Sequence, residues 1–497
     1  MHRIRAASFP LLGLLLAIPA GPRGAAQEAG TPPPPRRNLV LILSDDHRYD
    51  FLGFLDRAPR FLETPALDRM AAEGAHLRNA FVATSLCSPS RASLLTGQYA
   101  HRHGIIDNQR PVPPGTAFFP RFLQEAGYET AFIGKWHMGH DLDDPQPGFD
   151  HWVSFKGQGT YFDPELNVNG KQTRHEGYTD DLLTDHALRW MQKERGKPFF
   201  LLFSPKAVHF PFAPAPRHRG RYAQAQVPRP ETMANTEENY ATQPRWVLDR
   251  RYGIHGVDHM ETGPLDRDPV PSFEDLYRRY AETVHGLDQN VGRILEFLSR
   301  SKLADRTLVL YLSDNGFALG EHGFYDKRDA FEVSIRVPMI AWAPGLVPAG
   351  TAVPEMVQNI DIAPTFLEAA GVPAPPGHVL DGRSFLPLLC GRKVPWRDRL
   401  LYEYYWEWNF PATPTLFALR TPRYKYVYTH GLWDRNAFYD LETDPLERHN
   451  LIDVPAFRQM IAEMEKDLFD LLESTGGMQI PLRRPQGEPY HDRKRPR

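Results

Sequence analysis

Short apolar runs alternate with amphipathic segments along most of the chain. Asn38 to Ser44 is apolar almost throughout and too short for a typical helix, which is typical of a strand buried on both faces. Thr307 to Ser313 has the same pattern, and Glu129 to Ile133 and Pro198 to Phe203 are two further strand candidates. We therefore predict a sheet with a fully buried centre.

Helical periodicity lies between these runs. Apolar residues recur at three- and four-residue spacing in Thr64 to Gly74, Phe118 to Gly127, Tyr178 to Lys193 and Phe273 to Ser299. Strands that alternate with helices predict an α/β fold, with a mostly parallel sheet covered by helices on both sides. In such folds the working residues lie beyond the carboxyl ends of the strands.

Each predicted strand leads into side chains that can carry chemistry. They are Asp45 and Asp46, Asp314 and Asn315, Lys135 and His137, and Lys206 and His209. Carboxylate and amide oxygens favour a hard cation such as calcium or magnesium over zinc. Any one Asp at a strand end can instead be a turn or cap residue, but Asp-Asp after one buried strand and Asp-Asn after another favour a metal site.

The composition and pattern of the sequence change after about residue 390. Aromatic residues are concentrated in Leu400 to Trp408 and in Tyr424 to Tyr428, and Ala456 to Leu472 has a helical pattern. We predict a catalytic domain over residues 38–390, a smaller α+β subdomain over 391–480 and a basic tail over 481–497.

Composition narrows the class of protein and its surroundings. The 497 residues are 41% hydrophobic and 24% charged with a net charge of −3, so neither a nucleic acid nor a membrane is expected as a partner. Arg3, Arg5, the apolar run Phe9 to Ile18 and small residues up to Ala26 predict a signal peptide over 1–26 and a secreted or periplasmic protein. A membrane anchor is the alternative, but the run is short for one. A Pro-rich linker over 27–37 follows.

One of the two cysteines has unusual neighbours. Cys87-Ser88-Pro89-Ser90-Arg91 precedes Leu94-Leu95-Thr96-Gly97. Pro89 suits the first turn of a helix, so Cys87 would lie at the positive end of that helix beside Arg91, and both favour an anion there. A buried cysteine before an ordinary helix is the alternative. With only Cys87 and Cys390 in the chain, a disulfide framework is not expected.

The Cys-x-Pro-Ser-Arg stretch with its Leu-Thr-Gly resembles the signature of the type I sulfatases. Further family motifs follow in the family's order: Asp45-Asp46, Gly134-Lys135-Trp136-His137, Asp314-Asn315-Gly316 and Ile335-Arg336-Val337-Pro338. The resemblance covers nearly the whole mature chain. It implies an alkaline-phosphatase-like fold and a Cys87 that a maturation enzyme oxidises to formylglycine.

The resemblance also implies a role for each site residue. Calcium would be bound by Asp45, Asp46, Asp314, Asn315 and the oxidised Cys87. Lys135 and Lys327 would contact sulfate, Arg91 would hold the formylglycine and a metal ligand, His137 would assist sulfate release, and His209 would protonate the leaving alcohol. One hydroxyl of the hydrated aldehyde would attack sulfur and the other would expel sulfate.

Four further segments resemble the N-acetylglucosamine-6-sulfatase and heparan-sulfate 6-sulfatase group. They are Leu166 to Lys171, Asp180 to Asp185, Asp326-Lys327-Arg328 and Asp381-Gly382-Arg383-Ser384. We therefore expect a sulfated carbohydrate as substrate, with 6-O-sulfate on a glucosamine-type sugar. Trp136-His137 is closer to the wider arylsulfatase and glycan-sulfatase pattern, which leaves a broader specificity open.

Two other classes remain as alternatives. A phosphoesterase of the same fold would usually carry Ser or Thr at the nucleophile position, often with zinc. A glycan-binding protein with a decayed site would lack expected ligands, whereas every expected position is filled here. The aromatic residues Tyr402, Tyr404, Tyr405, Trp406 and Trp408 could face sugar rings, but we favour strand core for them.

Overall fold

The structure is a computed structural model that describes residues 36–139, 141–262, 272–431 and 434–481. The predicted signal peptide lies outside these residues, as do most of the predicted linker and basic tail. Within the described ranges, none of the helices combines the length and the apolar character that crossing a bilayer requires.

A ten-stranded mixed sheet forms the centre of the molecule. Its strands are β1 (Asn38–Ser44), β2 (Ala75–Phe81), β3 (Glu129–Lys135), β4 (His151–Phe155), β5 (Glu165–Val168), β6 (Lys171–Arg174), β7 (Phe199–Ser204), β8 (Thr307–Ser313), β9 (Met339–Trp342) and β10 (Thr351–Gln358). Their order across the sheet is β10-β2-β9-β8-β1-β7-β3-β4-β5-β6. The four strands predicted from the apolar runs are the four central neighbours β8, β1, β7 and β3.

The register of the central strands aligns their ends. β1 is parallel to β8 with Ser44 opposite Ser313, and it is parallel to β7 on its other side. The amide of Asp314 donates to the carbonyl of Ser44 at 3.0 Å, so the residues that follow these two strands are neighbours. This register explains why polar residues far apart in the chain meet at one edge of the sheet.

Thirteen helices are described, and the longer ones cover both faces of the sheet. They are α1 (Pro65–Glu73), α2 (Cys87–Thr96), α3 (Ala100–His103), α4 (Phe119–Glu125), α5 (Thr179–Met191), α6 (Glu237–Tyr240), α7 (Arg245–Arg251), α8 (Val257–Thr262), α9 (Phe273–Arg300), α10 (Glu332–Ile335), α11 (Ile362–Ala370), α12 (Leu386–Leu389) and α13 (Arg458–Thr475). The four helices predicted between the apolar runs correspond to α1, α4, α5 and α9, and the helical pattern of Ala456 to Leu472 corresponds to α13.

The apolar core is divided in two by the sheet. Leu39 and Leu41 of β1 face a core that includes α2, α4 and α11, whereas Val40 and Ile42 face a core that includes α1, α5 and α9. Successive residues of a strand point to opposite faces, so this division follows from the unbroken apolar run of β1.

A smaller antiparallel sheet follows in the last part of the chain. It consists of β11 (Leu400–Tyr404), β12 (Leu416–Arg420), β13 (Tyr424–Thr429) and β14 (Ala437–Asp440), in that order, and α13 packs against it through buried leucines. Tyr402, Tyr404 and Tyr405 are buried, which confirms that they are core residues, whereas Trp408 is 40% exposed. The boundary after residue 390 stays a prediction.

Candidate active site

Helix α2 begins at Cys87, as the position of Pro89 indicated. Leu86 precedes the helix in an extended conformation, and the thiol is fully buried with its Sγ 3.7 Å from Oδ1 of Asp45. Burial raises the pKa of the Cys87 thiol to about 12. Neither Cys87 nor Cys390 forms a disulfide.

Three carboxylates meet beside this helix start. Asp45 and Asp46 follow β1 and Asp314 follows β8, and one oxygen of each lies within 4.8 Å of the others. Burial and, after it, the negative charge of Asp45 together raise the pKa of Asp314 to about 7. The crowded, buried acids therefore need positive charge beside them.

Asn315 completes a set of oxygen donors. Its Nδ2 donates to Oδ1 of Asp46 at 2.6 Å, whereas its own Oδ1 is buried and has no hydrogen-bond partner among the described residues. A buried amide oxygen without a partner beside three carboxylates suits a hard divalent cation. The residues of this chain thus fit calcium or magnesium.

Three cations of the chain contact the three acids. The Lys135 ammonium donates to Oδ2 of Asp45, and the Lys327 ammonium lies 2.5 and 2.6 Å from the two carboxylate oxygens of Asp46. Arg91, one turn into α2, donates from Nε to Oδ2 of Asp314 at 2.9 Å. These side chains are all buried, so their charge is little screened by water.

The two candidate histidines border the same cluster. Nε2 of His209 lies 3.8 Å from Oδ2 of Asp46, and its Nδ1 is 2.7 Å from the carbonyl oxygen of Phe210. His137 is buried, and its Nε2 is 3.2 Å from Nε2 of Gln158. Burial lowers the pKa of both rings, and for His137 the charge of Lys135 adds to this effect.

Backbone geometry at the site is unusual for side-chain-bearing residues. Asp46 has φ 61°, His137 has φ 54° and Arg328 has φ 80°. Such values carry a steric cost and are concentrated at functional sites in proteins. The contacts of the acids, cations and histidines place every residue predicted for the site, including Lys327, within or beside one buried cluster.

Sequence reasoning missed a layer of residues behind the histidines. The carboxylate of Asp180 accepts hydrogen bonds from the backbone amides of Lys206 and Ala207 at 2.8 and 3.1 Å. The Tyr161 hydroxyl donates to the carbonyl of His209 at 2.6 Å. The position of Lys206 after a predicted strand does not by itself indicate its role. Gln158 and Tyr161 lie in a loop without periodicity, so no pattern indicated them.

A second ion network surrounds Lys327 and was also missed. Arg250 of α7 contacts Asp326 at 2.8 Å and Asp329 at 2.9 Å, and it donates to the carbonyl of Lys327. Arg328 donates to Oε1 of Glu407 at 2.8 Å. The segment that carries Lys327 is thus fixed from both sides by buried ion pairs.

Comparison with known proteins decides the family. The model of the family described as "Sulfatase" matches residues 37–372, and the model described as "N-sulphoglucosamine sulphohydrolase, C-terminal" matches residues 320–474. The chain belongs to the sulfatase family. It is therefore a sulfuric ester hydrolase, as the resemblance implied.

Relatives refine this assignment. The chain is 32% identical to the N-acetylglucosamine-6-O-sulfatase of Bacteroides thetaiotaomicron, over 94% of this chain and 90% of that protein. It is 30% identical to the extracellular sulfatase SULF-1 homolog of Drosophila melanogaster, over 74% of this chain but only 33% of that protein. The resemblance to the N-acetylglucosamine-6-sulfatase group is thus confirmed.

A solved structure agrees with the fold. A protein in complex with its substrate D-glucosamine-2-N,6-O-disulfate superimposes with a TM-score of 0.82 at 29% identity, over 89% of this chain and 99% of that chain. The prediction of an alkaline-phosphatase-like, mostly parallel sheet with a smaller C-terminal sheet is confirmed.

Proposed function

We propose that this sulfatase removes 6-O-sulfate from glucosamine-type sugars of glycosaminoglycans. The observation that carries the sulfatase chemistry is the cluster of three acids, three cations and two histidines around Cys87. That cluster serves any sulfate ester. The sugar is supported by the relative named N-acetylglucosamine-6-O-sulfatase and by the related structure that holds a glucosamine disulfate.

Lys135 and Lys327 would bind the sulfate group. Sulfate oxygens carry negative charge, and two ammonium groups buried beside Cys87 are fixed in advance to receive them. Arg91 contacts Asp314 and the carbonyl of Lys135, so it holds a metal ligand and the end of β3 in place.

The divalent cation that we propose is calcium. Asp45, Asp46, Asp314 and the free Oδ1 of Asn315 would hold it together with residue 87. When bound, it supplies Lewis-acid polarisation and lowers the pKa of the nucleophile. The oxygen donors, rather than histidines or thiolates, are the ligands that this ion prefers.

The nucleophile that we propose is formylglycine, formed from Cys87 by a maturation enzyme. As a hydrated aldehyde it supplies one hydroxyl to attack sulfur and a second to release sulfate. His137, buried beside Lys135, would assist that release, and His209 would donate a proton to the departing sugar oxygen. We expect the enzyme to act in the periplasm or outside the cell.

The proposal is tested by making the protein together with a formylglycine-generating enzyme. The peptide that contains Cys87 should lose its thiol and gain an aldehyde by mass spectrometry. Turnover should be measured on N-acetylglucosamine-6-sulfate, on its 3-O-sulfate isomer, on nitrophenyl sulfate and on a phosphodiester. We expect the 6-O-sulfate to be the preferred sugar substrate.

Variants of the two cysteines provide the control. Cys87→Ala and Cys87→Ser should abolish turnover while the protein stays folded, because neither side chain can form a hydrated aldehyde. Cys390→Ala, which changes the other thiol, should keep full activity. An active enzyme with an unmodified Cys87 would overturn the assignment of formylglycine as the nucleophile. Activity on aryl sulfates alone would overturn the assignment of a sugar sulfate as the substrate.

A further inference from the structure

Two loops behind the site are joined by reciprocal contacts. The Lys206 ammonium, beyond β7, donates to the carbonyl of Gln158 at 2.8 Å, in the loop beyond β4. In return, the Tyr161 hydroxyl of that loop donates to the carbonyl of His209 at 2.6 Å. The ammonium also lies 4.7 Å from the centroid of the Tyr161 ring, a distance at which a cation and an aromatic face attract.

The same contacts reach both histidines. Tyr161 bonds the backbone of His209 itself, and Gln158 places its side-chain amide 3.2 Å from the His137 ring. The Lys206 ammonium is thus linked through one residue to the ring of His137 and to the backbone of His209, although the two histidines follow different strands. Its own backbone is held by the buried carboxylate of Asp180.

The burial of this lysine is costly and needs a reason. Lys206 is 2% exposed, and its ammonium forms no ion pair with a carboxylate within 4.0 Å among the residues that the structure describes. An apolar side chain of similar length would fill the same space without the cost of removing an ammonium from water. Among the described residues, the ammonium directly contacts the carbonyl of Gln158 and the ring of Tyr161. The charges of Asp45, Asp46 and Asp180 also attract it, without forming an ion pair.

We propose that Lys206 is a positioning residue that fixes His137 and His209 relative to the sulfate-binding lysines. The proposal rests on the function proposed above, in which His209 protonates the departing sugar oxygen. A shift of about 1 Å in a reacting group can cost roughly a hundredfold in rate. Loss of the ammonium should therefore weaken proton donation without removing any group that touches sulfate.

Kinetics on two substrates tests this role. Lys206→Met should lower kcat on N-acetylglucosamine-6-sulfate by about tenfold or more, with a smaller loss on nitrophenyl sulfate, whose phenolate leaves without protonation. KM should change little on either substrate. Equal losses of kcat on both substrates would indicate a purely structural role and would overturn the proposal.

A double-mutant cycle asks whether the effect passes through His209. The loss that Lys206→Met causes on the sugar sulfate should be smaller in a His209→Ala background than in the wild-type enzyme. A loss of the same size in both backgrounds would show that the two residues act independently, contrary to the proposal.

Matched variants distinguish a positioning role of Lys206 from nonspecific destabilisation of the site. Lys156→Met removes an exposed ammonium from the same loop as Gln158 and should leave both activities unchanged. Tyr161→Phe removes the hydroxyl bonded to His209 and should show the same preference as Lys206→Met, even if the latter fails to fold. Tyr178→Phe removes a neighbouring buried hydroxyl that has no hydrogen-bond partner in the described part of the chain, and it should not show this preference.

A crystal structure of Lys206→Met gives a readout that is independent of activity. We expect the rings of His137 and His209 to be displaced while Lys135 and Lys327 stay in place. Unchanged rings would overturn the positioning role whatever the substrate proves to be. Failure of the wild-type enzyme on every sugar sulfate would instead overturn the proposed function, while the crystal structure would still decide the role of Lys206.

Discussion

At the scale of single residues, the site is a set of matched charges. The pairs are Asp45 with Lys135, Asp46 with Lys327, and Asp314 with Arg91. Removing one partner of a buried ion pair leaves an uncompensated charge, which typically costs about 3–5 kcal/mol of stability. A variant intended to test chemistry at this site must therefore keep the size of the side chain and be compared with an equally buried control.

The metal set can be tested in this way by Asp314→Asn. The substitution keeps the shape of the side chain but removes the charge that a divalent cation needs, so we expect loss of the bound ion and of turnover. Elemental analysis of the purified protein should find about one calcium per wild-type chain and none in the variant.

Asp361→Asn is the control for this substitution. Asp361 is equally buried, but it contacts Arg397 and the amide of Gln358 instead of the site acids. It should keep calcium. Two zinc ions per wild-type chain would contradict the proposed calcium site and favour a phosphoesterase.

The role of His209 can be tested through the leaving group. His209→Ala should reduce turnover of the sugar sulfate by about 10²- to 10⁴-fold, because an alkoxide leaves poorly without a proton, and should reduce nitrophenyl sulfate turnover much less. His285→Ala, a partly exposed histidine bonded to the carbonyl of Glu63, should leave both rates unchanged. Equal losses from His209→Ala would remove it from the general-acid role.

How well these residues could be predicted depends on where they lie. Asp45, Asp314 and His209 follow strands and Lys135 ends one, and the topology of a parallel sheet brings such positions together. Lys327 follows no strand, so only the family resemblance indicated it. The side chains of Gln158, Tyr161 and Arg250 contact residues that are distant in the chain, so no local sequence pattern could indicate them.

At the scale of elements, the end of β3 is pressed against β7. Gly134 pairs with Ser204 and has φ 132°, and a Cβ at this position would lie 1.8 Å from the carbonyl oxygen of Ser204. Lys135 and His137 follow directly. The glycine therefore allows two strand ends to approach closely enough to bring their functional residues into one site.

Gly134→Ala tests this close approach. We expect a loss of stability of about 2 kcal/mol or more, because both backbone strain and a clash with backbone must be relieved, together with a large loss of turnover. Urea unfolding and kcat measure the two effects. Gly170→Ala is the control, because Gly170 has φ 87° but open space around it, so it should cost only about 1 kcal/mol and spare activity.

The elements that the sequence revealed are those with a strong pattern. β1 and β8 begin and end at the predicted residues because they are buried on both faces. β2 and β10 escaped prediction because their burial is irregular, and β6 because all four of its residues are exposed. β9 is apolar, but four residues are too few for periodicity to distinguish a strand from a helix turn.

At the scale of the whole molecule, the C-terminal sheet supports the segment that carries Lys327. Lys425 of β13 is fully buried, with its Nζ 3.2 Å from Glu332 and 2.6 Å from Glu447. Glu332 begins α10, five residues after Lys327, and also contacts Arg420 of β12 at 3.1 Å. Burial raises the pKa of Glu447 to about 7, whereas Arg420 and Lys425 outweigh burial and lower that of Glu332 to about 2.

These ion pairs cross the boundary that we predict after residue 390, so they make the two parts depend on each other. Lys425→Met should lower the free energy of unfolding by about 3 kcal/mol, because Glu447 loses its cation in a buried setting. Urea unfolding followed by tryptophan fluorescence and by far-ultraviolet circular dichroism should show one coincident transition at lower urea than for the wild type.

Lys466→Met is the control. It breaks an exposed ion pair with Asp470 on α13 and should leave the urea midpoint unchanged. Two separate transitions in the wild-type protein would mean that the C-terminal sheet folds on its own, and Lys327 would then be held by its own segment alone.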